Sequence, residues 1–206
     1  MAQQIQQKVE FENPFLQIPK AEVRFPDRRG VKPQVWEIAP SDLKLKDGKY
    51  ATPSLIGMTR EDAIHYVDDH FSGDNAQLLP HYVLMEIAQN PAYEKLFNVM
   101  RGNYRLTNTY IRRENGKANM GIFGQPKFSA EVEDLDGEVR HLDENLWPAS
   151  KRRKVTRPTY AYTNSSGGGF AVILSFGDDG DVCVFSDDWL DYSDSGALLR
   201  VGRQTD

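Results

Sequence analysis

The stretch Asn90–Phe123, NPAYEKLFNVMRGNYRLTNTYIRRENGKANMGIF, holds the change of period on which the fold reading turns. Before Gly102, the apolar residues Tyr93, Leu96, Phe97 and Met100 recur at helical spacing. They follow an Asn-Pro start, asparagine suiting an N-cap and proline a first helical position. After Gly102 the period is two. YRLTNTYIRR and ANMGIF flank Asn115-Gly116, a dipeptide that tolerates the positive φ of a type I′ turn and so marks a hairpin. A helix therefore gives way to antiparallel strands at a single glycine.

Towards the N-terminus, Thr59-Arg60-Glu61-Asp62 fits a capping box, with Thr59 as N-cap. Ile64, Val67 and Phe71 supply its apolar stripe, and Ser72-Gly73 stops it. QLLPHYVLMEIAQ predicts a second helix with Pro80 in its first turn, apolar on most sides and hence buried. Towards the C-terminus, KFSAEVEDLDGEVRHL predicts another hairpin about Asp136-Gly137. KVTRPTYAYT, FAVILSF and DVCVF follow as strands. FAVILSF carries no charge on either face, which suits a central strand. Pro158 cannot donate to a ladder, so its strand lies at an edge or joins the sheet only beyond it. The expected fold is α+β: an extended N-terminal arm over 1–57, three short helices over 58–102 and an antiparallel β-meander over 103–206, with 58–206 forming one globular domain.

The arm is punctuated by Pro14, Pro19, Pro26, Pro33, Pro40 and Pro53, each of which discourages helix locally. Its apolar residues Phe11, Phe15, Leu16, Phe25 and Trp36 need a surface. Covering the chain's own core is the simpler role, and docking on a neighbouring subunit is the other.

Of 206 residues, 39% are hydrophobic and 27% charged, lean for a compact domain. No apolar run approaches the roughly 20 residues that span a bilayer, and MAQQIQQKVEF has no signal-peptide centre. A cytoplasmic protein is expected, in the host cytoplasm if the source is viral. The single cysteine, Cys183 in DVCVF, excludes an internal disulfide and reads as a small buried hydrophobe.

Catalytic signals are weak. His65 and His70 stand five apart, and no HExxH occurs among the four histidines. DLDGE and GDDGD read as turns, lacking the spaced ligands of a calcium loop. Ser165-Ser166-Gly167-Gly168-Gly169 precedes a strand rather than the helix a phosphate-cradling loop requires. No catalytic residue, metal ligand or cofactor is implied.

Charge is the stronger signal. The net charge is −5, yet the cations are segregated. Arg101, Arg105, Arg112, Arg113, Lys117 and Lys127 face only Glu114 in the stretch 101–128. Lys151, Arg152, Arg153, Lys154 and Arg157 crowd a second stretch, and none follows before Arg200, whereas seven aspartates do. Alternation puts Tyr110 with Arg112 on one strand face, and Lys154 with Tyr160 and Tyr162 on another. Cations beside tyrosines on strands suit a single-stranded nucleic-acid platform, where phosphates are neutralised and bases stack. Soluble edge charges and core tyrosines are the plainer explanation for each residue. The leading functional expectation is a non-enzymatic binder of single-stranded RNA or DNA, RNA favoured. The alternatives are a structural or adaptor protein of a larger, viral or phage-like assembly, self-associating or partnered through the arm, and a metal-dependent hydrolase or nuclease using Asp68 or Asp69.

Overall fold

A computed structural model describes residues 9–16, 21–25, 33–114, 117–124, 129–132, 134–135, 138–139, 155–161, 169–177, 182–185, 190–191, 193 and 195–205. The α+β class holds, with two sheets and four α-helices among these residues.

The helices start where their caps dictate. Thr59 accepts from the Asp62 amide at 3.1 Å and opens α2 (Arg60–His70), after a short α1 (Pro53–Ile56) capped by Thr52. The next helix differs from expectation. Ala76–Leu78 is a strand, β3, and α3 runs only over His81–Gln89, with Pro80 as its N-cap in extended backbone. The reason is tertiary: β3 pairs with the C-terminal strand, and the Leu79 amide donates to Arg200. Residues 81–88 are all buried, as the all-round apolar pattern requires. Asn90 caps a 3-10 turn through the Ala92 amide, and α4 (Glu94–Met100) follows it.

The smaller sheet has the order β1 (Ala21–Phe25), β2 (Gln34–Ile38), β13 (Val201–Thr205), β3, all antiparallel. Strands from within the first 57 residues thus pair with the chain's last strand. Trp36, Ile38 and Val23 are fully buried there, and Phe11 and Phe15 nearly so, each burial contributing about 1.5–3 kcal/mol. At the outer edge, Glu22 and Arg24 are exposed and the Arg24 amide is taken by the Tyr93 hydroxyl, so that edge is partly blunted.

The larger sheet is built on β4 (Tyr104–Glu114). Its neighbours are β5 (Lys117–Ile122) and β10 (Gly169–Phe176), and β6 (Ser129–Val132) lies outside β5. Glu114 pairs with Lys117, so the hairpin closes over the expected Asn115-Gly116. Leu135 pairs with Glu138 in the same way between β7 (Asp134–Leu135) and β8 (Glu138–Val139). Beyond β10 come β11 (Val182–Phe185), β9 (Val155–Ala161), β8 and β7, while the short β12 (Leu198–Leu199) pairs with β4. Strand β9 lies parallel to β11 instead of beside β10. Its ladder shifts between Thr156 and Thr159, around Pro158, and β8 reaches only Tyr160 and Ala161. Among the described residues, proline thus sits where the strand has a single neighbour.

Both faces of the β4–β10 centre are covered. Ile111, Val172, Leu174 and Phe176 pack with α3, α4 and the small sheet. Leu106, Ala171 and Ile173 pack with α2, Phe11 and the 197–201 segment. FAVILSF is central, as its composition requires.

Candidate functional site

Strand β4 carries the residues on which the sequence reading rested, and the structure separates them. Arg105 is a correction: it is buried, not part of an exposed basic face. Its guanidinium makes a bidentate pair with Asp42, both bonds 2.8 Å, and also donates to the Met100 carbonyl. Arg200 completes the cluster. It donates to the Ala39 carbonyl at 2.8 and 3.1 Å and lies 3.5 Å from Asp42. Burial lowers the Arg200 pKa to about 10, against the opposing pull of Asp42. It stays cationic at neutral pH. Two guanidinium groups therefore share one carboxylate inside the protein; backbone carbonyls take further donors, while Arg200 Nη1 has only the 3.5 Å ion-pair contact with Asp42.

Arg112 and Tyr110 do converge, as the alternation predicted, but over their own sheet. Tyr110 stands opposite Gly121, and a Cβ on that glycine would overlap the tyrosine ring. Arg112 stands opposite Gly169, where a Cβ would lie 2.8 Å from the arginine Cγ and 2.6 Å from Leu190 Cδ1. Each long side chain covers the bare backbone of a neighbouring strand. The Arg112 guanidinium sits 4.8 Å from the Tyr110 ring centre and 5.8 Å from that of Phe123. It donates to Glu61 at 2.6 Å, each side chain about one-third exposed. Glu61 comes from the first turn of α2, its amide anchored on the Leu190 carbonyl at 2.9 Å. Charge and rings are used within the molecule.

Arg101 is half-buried, its guanidinium 5.3 Å from the Phe97 ring centre. Arg113 and Lys117 belong to the β4–β5 hairpin, paired with Ala118 and Glu114. Arg157 and Tyr160 belong to β9, which β10 and β11 separate from β4. At sheet spacing that is about 14 Å, so strand β9 does not adjoin the cations of β4. Lys127, Lys151, Arg152, Arg153, Lys154 and Tyr162 lie outside the described residues.

Asp68, named for a possible metal role, spends its carboxylate on the Leu78 amide at 2.8 Å, capping the free edge of β3. Burial raises its pKa to about 7, against that hydrogen bond and with a smaller push from Asp69. Among the described residues, no three His, Cys, Asp or Glu side chains form a metal-holding group. No described helix is long and apolar enough to cross a membrane.

The residues that sequence reasoning missed are partners. Asp42 gives no motif, and Glu61 reads only as a first-turn acid. His81 is a third case: fully buried against Thr109, its Nδ1 2.9 Å from the threonine hydroxyl. Burial depresses its pKa to about 3, so it is neutral. No family model, curated protein or solved structure matches the chain.

Proposed function

We propose that the protein is a non-catalytic structural or adaptor component that associates with copies of itself through its N-terminal 57 residues. The observation that carries this reading is the placement of exposed apolar side chains. Leu16 is 78%, Tyr50 48% and Leu55 46% exposed within that segment, while Val99 and Tyr104 are exposed elsewhere. The same segment is anchored in the core by the buried side chains of Phe11, Phe15 and Trp36. The internal pairing of Arg105 with Asp42 and of Arg112 with Glu61 supports it further, since two cations of the expected phosphate-binding platform have partners within the chain. Sedimentation velocity over a hundredfold concentration range tests it. The wild-type chain should associate, and Leu16→Asp with Leu55→Asp should weaken that association by tenfold or more. A chain that stays monomeric throughout overturns the reading.

A second reading keeps single-stranded nucleic acid, RNA first, confined to the 151–162 segment. It is favoured by five cations within seven positions leading into β9, where that strand has one neighbour among the described residues. Replacing Lys151, Arg152 and Arg153 by alanine should weaken oligouridine binding evenly and flatten its salt dependence. Failure of the wild-type chain to bind oligouridine at low salt removes this reading.

A further inference from the structure

Strand β4 does not run straight past β10. While β10 advances two residues, from Ala171 to Ile173, β4 takes four between Tyr110 and Leu106. The intervening Thr107-Asn108-Thr109 arcs out of the ladder in the middle of the molecule, and all three residues are fully buried. Such a bulge must find other partners for its backbone. It does: the Asn108 amide donates to the Leu79 carbonyl at 3.4 Å, and the Asn108 carbonyl accepts from the Phe123 amide at 2.9 Å.

The flanking hydroxyls are also satisfied. Thr107 donates to the Val172 carbonyl at 2.7 Å and accepts from the Thr109 amide at 3.2 Å. Thr109 accepts from the His81 amide at 3.2 Å. The exception is the Asn108 side chain. It is 0% exposed, and neither Oδ1 nor Nδ2 has a hydrogen-bond partner among the described residues. Burying such an amide unpaired is costly, and an aliphatic residue of like size would avoid the cost. Packing alone therefore does not explain an asparagine here.

We propose that Asn108 anchors an internal water molecule at the β4 bulge. A primary amide suits one water well. The Nδ2 hydrogen syn to the carbonyl and the Oδ1 lone pair point the same way, so a single water can accept from one and donate to the other. The amide thus supplies two partners, at a point where the β4 backbone has left the β10 ladder. Two to four polar partners are what a buried water requires. The site is a structural hydration site, separate from the N-terminal surface proposed for association.

Two measurements on the full chain test this. In water-selective NMR of the wild-type protein, the Asn108 side-chain amide protons should give cross-peaks to a water of nanosecond or longer residence. Their absence from resolved Asn108 signals overturns the proposal. Magnetic relaxation dispersion should then show loss of one long-lived water in Asn108→Leu relative to wild type. An unchanged count in a folded Asn108→Leu protein also overturns it. If that variant does not fold, the wild-type cross-peaks decide alone.

Discussion

Arg105 and Arg112 stand seven residues apart on one strand, and each is paired with a carboxylate from a distant segment. The resemblance ends there. Arg105 is withdrawn from water between β4 and Asp42, whereas Arg112 lies one-third exposed over Tyr110, with Glu61 equally accessible. Coulomb attraction is screened at the second pair and barely screened at the first. Losing a partner is correspondingly different. At the surface, water replaces the missing carboxylate. In the interior nothing does, and Arg200 makes the imbalance worse by adding a second positive charge to the same acid.

The largest expected effect breaks the buried pair. Asp42→Asn leaves two guanidinium groups facing each other without an anion, and it should cost about 3–5 kcal/mol of stability. Chemical denaturation measures it, and a loss below about 1 kcal/mol would mean that the two ends of β4 are not different after all.

An intermediate effect sharpens the comparison through Asp68, a largely buried carboxylate whose described partner is an amide, not a cation. Its pKa rises to about 7, above its value in an unfolded chain, so protonation favours the folded state. Its stabilising contribution is complete below about pH 4 and is lost as pH rises through 7. Asp68→Asn should flatten that loss, and it should leave the variant more stable than wild type at pH 8 by on the order of a few kcal/mol, at about 1.4 kcal/mol per pKa unit. His81 works in the opposite sense. Depressed to about 3, it removes stability as pH falls below 6.5, and this acid limb should persist in the Asp68→Asn protein. Thermal melts from pH 3 to 9 separate the two limbs, and an unaltered slope in Asp68→Asn would contradict the assignment.

The smallest effect is at the exposed pair. Glu61→Gln keeps a hydrogen-bond acceptor for Arg112 and should cost no more than about 1 kcal/mol, fading further in high salt. A cost near that of Asp42→Asn would show that the Arg112–Tyr110–Phe123 stack is much drier than its accessibility indicates.

Legibility in the sequence followed the range of the forces involved. Thr59 and Asn90 were visible as caps because a cap is satisfied within three residues. The β4–β5 hairpin was visible because Asn-Gly between two alternating runs is a short-range turn signal. Gln77–Leu79 was misassigned to a helix because its partner, β13, lies more than a hundred residues away. Alternation correctly grouped Tyr110 with Arg112, yet no rule of spacing could reveal that glycines on two other strands lie beneath them. The same limit applies to Arg105, whose position on β4 was readable and whose burial was not.

From the amino-acid order alone came the α+β class, the caps at Thr59 and Asn90, the change from helix to strand at Gly102 and the central place of FAVILSF, because each depends on local backbone preference or on the polarity of a continuous run. Only the tertiary structure decided which cations are internal, that the N-terminal strands close a sheet with the last strand, and that β9 lies beyond β11. Those outcomes depend on which distant segment removes a given side chain from water, and a charge looks the same in a sequence whether or not it will be buried.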